Sequence, residues 1–338
     1  MDPSDMFFRL LASLCLVLLW SANASAGVIE GVGAKKLEVV DPVEQKPMDA
    51  VVFFPSPDQT DVSSIGPYEV DVSRSAPIGD DRYPLIMLSH GSMGSMWGHH
   101  DLASSLARQG YMVVSVTHVG DNFQDTSRIS TAGAIYGRAM QISAALTATL
   151  DDPVLALHID RERIGFVGFS AGGTTGLILA GAKPDLSRLV GYCAKRPDDR
   201  HVCEARGRIG VEGAELGASA DARIRSFVLL APLSVLFPTE GLKSVAAPIS
   251  VYVGEKDEEL SPDDNALALA RDMQSEIRVE VVPNAGHFTF LAPCSPQMRD
   301  AVPAICADPP GVDRVELHRT INAEIAAFFT RTLAVAVP

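Results

Sequence analysis

The chain has 338 residues, 47% of them hydrophobic and 21% charged, which is enough to bury a large core in one α/β domain or in two smaller ones. Its 42 acidic and 28 basic residues give a formal net charge of −14, and this balance argues against nucleic acid as a partner, because binding to phosphates requires basic patches. The sequence leaves the oligomeric state open.

The N-terminus has the parts of a secretory signal peptide. Arg9 precedes an apolar run over residues 10–20, and Ala-Ser-Ala at residues 24–26 follows as a small-residue cleavage site. The run is shorter than a comfortable membrane span. We therefore predict that residues 1–26 are removed, that residues 27–338 form a single domain, and that the mature protein is periplasmic or secreted, without a stable membrane span. An uncleaved N-terminal anchor is the alternative.

Four cysteines remain after the signal peptide, which contains Cys15: Cys193, Cys203, Cys294 and Cys306. An even number in an exported protein predicts disulfides, and four cysteines allow three connectivities. The local pairings, Cys193–Cys203 and Cys294–Cys306, would close short loops and contribute about 3 kcal/mol each to stability. A zinc site is disfavoured because the spacing lacks the short paired knuckles of structural zinc, so no metal is expected.

The first part of the mature chain is predicted to form a hairpin followed by loops. Residues 35–40 and 50–54 are two strand patterns on either side of a turn-rich segment, which is typical of an antiparallel pair at a sheet edge. Residues 55–81 are rich in Pro, Ser, Asp and Gly, which predicts surface loops with one short strand over residues 68–72.

Short apolar strands then alternate with helices. Buried strands are predicted over residues 83–91, 111–117, 164–169, 226–231, 248–254 and 278–282, and helices over residues 101–109, 132–150, 266–273 and 315–330. This alternation predicts an α/β fold in which a mostly parallel central sheet is covered by helices on both faces.

Residues 184–225 interrupt the alternation. They carry Gly, Arg, Asp and two cysteines without clear periodicity. We interpret them as a small cap-like insertion over the mouth of the site. An irregular surface excursion, held by a Cys193–Cys203 bond, accounts for the pattern equally well.

The strand over residues 164–169 ends in Gly168-x-Ser170-x-Gly172, and an apolar helix pattern follows. A serine on such a sharp strand-to-helix turn is a nucleophile elbow, in which small neighbours let the strand and the helix approach closely. The helix N-terminus directs free N–H groups to the place where an oxyanion forms. A glycine- and serine-rich loop without function is the bland alternative, which the flanking strand and helix disfavour.

A serine nucleophile requires a base and an acid that orients it. His287 follows the strand that ends near residue 282, at the sheet edge where α/β folds place catalytic groups. We predict Asp257 as the acid because Gly254-x-x-Asp257 forms a tight turn after the preceding strand. Glu255 is the next candidate in this acidic loop, which also contains Glu258, Glu259, Asp263 and Asp264.

The other histidines are given lesser roles. His90 is predicted to be a structural hydrogen-bonding residue, and His118 follows a strand and could line the pocket. The remaining histidines are expected to lie at the surface: His99, His100, His158, His201 and His318.

Two backbone N–H groups are expected to form the oxyanion hole. The first is that of Ala171, and the second is that of Ser92, with Met93 as the alternative. An apolar substrate pocket is expected to include Met93, Trp97 and Phe288, although core packing explains each of these equally well. Met96, Phe123 and Phe290 are further candidates for its lining.

Four motifs together resemble the α/β-hydrolase superfamily: Ser-His-Gly-Ser at residues 89–92, Gly-Phe-Ser-Ala-Gly-Gly at 168–173, Gly-Glu-Lys-Asp at 254–257 and Gly-His-Phe at 286–288. Within it, the chain is similar to the exported predicted dienelactone hydrolases, a set akin to platelet-activating-factor acetylhydrolases and bacterial polyester-cleaving, cutinase-like enzymes. The similarity covers roughly residues 37–330.

The resemblance implies hydrolysis of a small-molecule carboxylic ester, with no metal or organic cofactor. True dienelactone hydrolases use a cysteine nucleophile, whereas position 170 is serine, so that particular activity is not carried over. A lipase, thioesterase or peptidase with the same three residues is the alternative. A binding protein that retains the fold without catalysis is the alternative from another class.

Overall fold

The computed structural model describes residues 28–199, 202–203 and 209–334. Its strands, in chain order, are β1 (Gly31–Val40), β2 (Pro47–Ser56), β3 (Val62–Ile65), β4 (Tyr68–Asp71), β5 (Tyr83–Ser89), β6 (Met112–Val116), β7 (Ile159–Phe169), β8 (Ser226–Leu230), β9 (Ile249–Gly254) and β10 (Ile277–Val282). The short strands β3 and β4 form a separate hairpin.

The other eight strands form one sheet in the order β1-β2-β6-β5-β7-β8-β9-β10. From β6 to β10 every neighbouring pair is parallel, whereas β1 with β2 and β2 with β6 are antiparallel. The mostly parallel sheet is therefore confirmed, and β1 and β2 lie at one edge, as their patterns predict. Both are longer than predicted, because the pairing continues from Gly31–Ser56 to Val40–Pro47.

The helices are α1 (His100–Arg108), α2 (Ala132–Asp151), α3 (Ala171–Leu179), α4 (Ser187–Lys195), α5 (Thr239–Leu242), α6 (Ala266–Asp272), α7 (Pro296–Ala301), α8 (Pro303–Cys306) and α9 (Arg314–Thr332). Short 3₁₀ turns lie at Leu155–His158, Ala214–Leu216 and His287–Phe290. The four predicted helices correspond to α1, α2, α6 and α9, with bounds that agree within two residues.

Helices cover both faces of the sheet. Successive side chains of β5 alternate between the two faces, so Leu85 packs with α2 and α3 while Ile86 packs with α1 and α9. Because each parallel strand is buried on both sides, its sequence is apolar throughout and not alternating. This arrangement aligns the carboxyl ends of β5, β7, β9 and β10 at one edge, where the catalytic candidates lie.

Both local disulfides are present, Cys193–Cys203 and Cys294–Cys306, out of the three connectivities that the sequence allows. The first lies in the segment 184–225, which begins with the helix α4. Residues 200–201 and 204–208 of this segment, and the predicted signal peptide 1–26, lie outside the described residues.

Among the helices of the described part of the chain, none is long and apolar enough to cross a membrane.

Candidate active site

Ser170 occupies the turn between β7 and α3 with φ 54° and ψ −113°. Positive φ is unusual for a residue with a side chain, and such strain clusters at functional sites. The turn is held from the neighbouring strand, since Ser170 N–H donates to the Leu230 carbonyl at 2.9 Å and Leu233 N–H donates to the Ser170 carbonyl at 3.1 Å. The residue is only 6% exposed.

The two flanking glycines are required by close backbone approach. A Cβ at Gly168 would lie 2.1 Å from the Gly172 carbonyl oxygen, and a Cβ at Gly172 would lie 2.1 Å from the Ser89 carbonyl oxygen. Neither backbone neighbour can move aside without moving its strand or helix. The Gly-x-Ser-x-Gly spacing therefore has a local steric cause.

His287 and Asp257 form a buried hydrogen-bonded pair. His287 Nδ1 donates to Asp257 Oδ2 at 2.8 Å, and the two side chains are 4% and 0% exposed. The other carboxylate oxygen accepts the backbone N–H groups of Glu259 at 3.0 Å and Leu260 at 2.8 Å. A carboxylate held in this way keeps the proton of the ring on Nδ1, which leaves the Nε2 lone pair as a potential base.

The neighbouring acids have other partners. Asp257 N–H donates to the Gly254 carbonyl at 3.2 Å, which is the tight turn that the sequence predicts. Glu258 accepts the backbone N–H of His287 at 3.1 Å. Glu255, the alternative acid, accepts the backbone N–H of Asn284 at 2.9 Å and lies at the surface. The acidic loop thus supports the histidine loop by its backbone as well as by Asp257.

Three separate loops meet around Ser170. The ring of Phe169, the residue before the serine, lies 4.8 Å from the His287 ring, measured between centroids. From the other side, a Cβ placed on Gly91 would lie 3.3 Å from Ser170 Cβ, so the loop after β5 passes in van der Waals contact with the serine. The structure therefore brings the predicted serine, histidine, acid and oxyanion-loop segments together.

Ser92 and Ala171, the two candidate oxyanion donors, line the same small cavity of about 40 Å³. Met93, the alternative donor, is engaged elsewhere, because its N–H donates to Asp121 Oδ1 at 2.9 Å. An N–H that already donates to a carboxylate is a poor candidate for an oxyanion donor, which disfavours Met93.

A family model described as the dienelactone hydrolase family matches residues 72–304. That range is more than half of the chain. The chain belongs to the dienelactone hydrolase family. On that ground the protein is a carboxylic-ester hydrolase with the α/β-hydrolase fold.

Solved structures of similar fold accompany this match. A ferulic acid esterase from Streptomyces cinnamoneus has a TM-score of 0.63 at 19% identity, over 91% of this chain and 92% of that one. A dienelactone hydrolase from Anabaena variabilis has a TM-score of 0.48 at 14% identity, over 89% and 99%. No curated protein matches at a significant level. At 19% identity, the likeness to the ferulic acid esterase shows the fold alone.

A buried ion pair supports the loop after β5, which contains the candidate oxyanion donor Ser92. Arg138 of α2 donates to Asp121 Oδ2 at 2.8 Å, and both side chains are about 5% exposed or less. The guanidinium also donates to Ser89 Oγ at 3.2 Å and to the His90 carbonyl. Since Asp121 holds the Met93 N–H, the pair fixes the loop at both ends.

The two histidines of this network are neutral. His90 Nδ1 donates to the Gly91 carbonyl at 2.5 Å, and His90 Nε2 accepts the His118 N–H at 3.1 Å. Burial, followed by the charge of Arg138, lowers the pKa of His90 to about 3 and the pKa of His118 well below its ordinary value. The structural role predicted for His90 agrees with this geometry.

His118 does not line a pocket, and that expectation is wrong. Its side chain is 0% exposed, and both ring nitrogens are occupied. Nδ1 donates to Gln141 Oε1 at 2.7 Å, because the amide nitrogen of Gln141 donates to Asp41, and Nε2 accepts from Ser89 Oγ at 2.8 Å. A position directly after a strand is therefore not sufficient, by itself, to predict a site residue.

The surface roles expected for His99, His100 and His318 are also wrong, because all three are buried. His318 Nδ1 donates to Asp101 Oδ2 at 2.6 Å and His318 Nε2 donates to the Thr289 carbonyl at 2.7 Å. His158 is partly buried and His201 lies outside the described residues. No local sequence signal indicates this burial, since Asp101 and His318 are 217 residues apart in the sequence.

His318 and His99 support the 3₁₀ turn that carries His287. Burial alone would lower the pKa of His318, but the charge and hydrogen bond of Asp101 outweigh it, so the pKa is raised. Both ring nitrogens face oxygen acceptors, to which only the charged ring can donate twice. His99 hydrogen-bonds the next carbonyl, that of Phe290, and burial lowers its pKa to about 4. Two consecutive carbonyl groups of the turn, those of Thr289 and Phe290, are therefore hydrogen-bonded to buried histidines.

The predicted pocket residues lie in three different places. Met93 is exposed at the rim of a groove that is described below. Trp97 packs edge-on against the buried ring of Phe53, with centroids 5.7 Å apart. Phe288 is half-buried, with its ring edge-on to His287 at 5.3 Å.

In the ranges 28–199, 202–203 and 209–334, no group of three or more His, Cys, Asp or Glu side chains is placed to hold a metal ion.

Proposed function

We propose that this protein hydrolyses carboxylic esters through an acyl-enzyme formed on Ser170. In this mechanism His287 is the general base and acid, and Asp257 orients its ring. The observation that carries the proposal is the buried His287–Asp257 hydrogen bond of 2.8 Å, which directs Nδ1 to the acid. The same ring lies 4.8 Å from the ring of Phe169, the residue before Ser170.

The steps follow from the tautomer of His287 in which Nδ1 carries the proton and Nε2 can accept one. Nε2 takes the Ser170 proton as Oγ attacks the ester carbonyl, and the charged imidazole that results is stabilised by Asp257. The same proton passes from Nε2 to the leaving alkoxide, which departs as the alcohol. Water then attacks the acyl-enzyme, with His287 again as base, and the carboxylic acid leaves.

The backbone N–H groups of Ser92 and Ala171 hold the oxyanion in this proposal. Support comes from their shared cavity and from the fixed position of the loop that contains Ser92, which is tied to Arg138 through Ser89 and His90. Donors that are already oriented need no rearrangement as charge develops, and each is worth about 3 to 4 kcal/mol in the transition state.

We further propose that residues 184–225 cover one side of the site. Leu189 of α4 and Ile209 line the small cavity together with Ser92 and Ala171. The ion pair between Arg196 and Asp264 joins this segment to the region after β9, which also supplies Asp257.

Export and cleavage after residue 26 belong to the same proposal. Its support is the pair of disulfides, which are typical of proteins that fold in an oxidising compartment.

Replacement of the nucleophile tests the mechanism. Ser170→Ala should lower kcat for p-nitrophenyl acetate by on the order of 10⁶-fold, as in other triads. Ser64→Ala, a change of the same type at an exposed position of β3, should leave kcat unchanged. Turnover of Ser170→Ala near that of the wild type would refute the assignment, provided that circular dichroism shows both variants folded.

A further inference from the structure

A second and larger apolar space lies next to the proposed catalytic centre. It is a groove of about 340 Å³, which we call the 291–305 groove after the segment that forms one wall. Its apolar lining includes Tyr68, Met93, Phe123, Leu291, Met298 and Ile305. The Cys294–Cys306 disulfide closes the segment that carries α7 and most of α8, so this wall is covalently fixed.

The groove begins where two proposed catalytic loops end. Met93 and Gly94 directly follow the proposed oxyanion donor Ser92, and Leu291 directly follows the His287–Phe290 turn. The two loops are also joined beside the groove, because Ala292 N–H donates to the Gly98 carbonyl at 3.0 Å. The groove therefore borders the two segments that directly follow Ser92 and the histidine turn.

The three hydroxyl groups of the groove are hydrogen-bonded within the protein, and the remaining ionisable side chain of its lining is that of His100. The hydroxyl groups of Tyr68 and Ser95 are hydrogen-bonded to each other at 3.1 Å, and Ser295 Oγ donates to the Pro67 carbonyl at 2.5 Å. A ligand with many hydrogen-bonding groups would gain little here. The lining fits an alkyl or aryl group.

The rim of the groove is apolar and exposed. Met93, Phe123 and Val302 are 57%, 63% and 39% exposed, which leaves large apolar side chains of three different segments in water around one opening. Met93 also adopts φ 59°, a conformation that is strained for a residue with a side chain. Strain that places an apolar side chain in water is consistent with a binding role.

The chemistry of the reaction decides which part of the ester enters the groove. His287 must deliver its proton to the leaving oxygen, so the alcohol part lies on the side of the histidine turn. One wall of the groove begins at Leu291, directly after that turn. The described residues that line the 40 Å³ cavity include Ser92, Ala171 and Thr174 but none from the histidine turn or the segment after it.

We propose that the 291–305 groove binds an apolar alcohol part of the substrate and that the 40 Å³ cavity admits a compact acyl part. This inference rests on the proposed function and names its substrate class: esters of a small carboxylic acid with a bulky alkyl or aryl alcohol. Apolar area in the groove then contributes to binding in the transition state, whereas a long acyl chain finds no space on the other side.

Two isomeric esters test the orientation directly. Hexyl acetate and ethyl hexanoate have the same composition and place the same bulk on opposite sides of the ester bond. We expect kcat/KM for hexyl acetate to exceed that for ethyl hexanoate by about tenfold or more, a discrimination typical of apolar pockets. Equal values, or a preference for ethyl hexanoate, would overturn the inference.

A matched pair of variants assigns the preference to the groove. Ala301 lines it at the end of α7, whereas Ala304 is exposed on α8 and is not among the residues that line it. Ala301→Trp should lower the ratio of kcat/KM for hexyl acetate to kcat/KM for ethyl acetate by about tenfold, with both esters measured on the same variant. Ala304→Trp should leave this ratio unchanged, with circular dichroism as the check on folding.

The outcomes separate this inference from the proposed function. If the wild type cleaves esters and Ser170→Ala does not, but Ala301→Trp retains the full preference for hexyl acetate, the groove assignment is wrong and the mechanism stands. If Ser170→Ala still cleaves both esters, the proposed function fails first, and the groove assignment, which rests on it, falls with it.

Discussion

Ser170 is held in a backbone conformation that few residues with side chains adopt, and its surroundings explain how. Its N–H is bonded to the last residue of β8 and its carbonyl to the segment that follows, while Gly168 and Gly172 allow β7 and α3 to close around it. Strain of this kind persists only where the surrounding structure determines it. The contacts that fix the backbone at residue 170 are made by backbone groups and do not involve the serine side chain, so removal of the side chain should leave the turn intact.

The acid is the residue whose role is most open to test. Asp257→Asn keeps the shape but allows the carboxamide to favour the wrong tautomer of His287, with the proton on Nε2. We expect kcat to fall about 10⁴-fold with little change in fold. Steady-state kinetics on p-nitrophenyl acetate measure the effect.

Glu255→Gln is the matched control for that change. Glu255 belongs to the same loop, but its carboxylate bonds the Asn284 backbone at the surface. Its replacement should alter kcat by less than about threefold, in the range of a weak exposed contact. A larger loss for Glu255→Gln than for Asp257→Asn would move the acid to residue 255.

At the scale of elements, the histidine turn is a short segment supported by two long helices. His318 of α9 and Asp101 of α1 form a charged pair beneath it, and Asn322 adds a hydrogen bond to Asp101 at 3.1 Å. His318 reaches the Thr289 carbonyl, two residues after the proposed base. The position of His287 therefore depends on the packing of α1 against α9.

This support has a predicted pH dependence. Because the pKa of His318 is raised in the folded protein, its contribution to stability is complete below its ordinary value near 6.5 and is lost as the pH rises through the raised value. His318→Gln should lower the free energy of unfolding by about 1.5 to 3 kcal/mol at a pH of about 6, and by less at about 9. Urea unfolding of both proteins at each pH measures the difference.

His158→Gln is the control for that experiment, since His158 lies in a 3₁₀ turn remote from α9 and makes no such pair. Its effect should be small at both pH values. A difference between wild type and His318→Gln that grows with pH would contradict a charged His318.

At the scale of the molecule, one central sheet has a hydrophobic core on each face. The loops at one edge of this sheet contain the candidate site residues. The strand and helix patterns predict this architecture because the strands are apolar and the long helices are periodic. Ser170, Asp257 and His287 can be proposed from the sequence for a similar reason, since each lies in a short motif directly after a strand. Their mutual approach follows from the parallel order of the strands.

The supporting contacts are not predictable in this way. Asp101 and His318 are 217 residues apart in sequence, and their contact exists only because α1 packs against α9. The pair Arg138–Asp121 depends on the position of α2 beneath the loop after β5. The sequence alone therefore predicts surface positions for histidines in helices, although partners that are distant in the sequence make their burial possible.

The short helices were missed because they lack periodicity, although one left a local signal. Ser295 accepts the Met298 N–H at 3.1 Å as an N-cap, and Pro296 is the first residue of α7. A serine followed by proline is a common helix start. Attention to that pair would have placed a helix in the segment that forms one wall of the groove.

The most direct test of the account is covalent labelling of the wild-type protein with a fluorophosphonate, followed by peptide mass mapping. An activated serine attacks this reagent, whereas an ordinary buried serine does not. We expect one adduct, on the peptide that contains Ser170, and a loss of ester turnover in proportion to labelling. An adduct on another serine, or no adduct on folded protein with both disulfides formed, would contradict it.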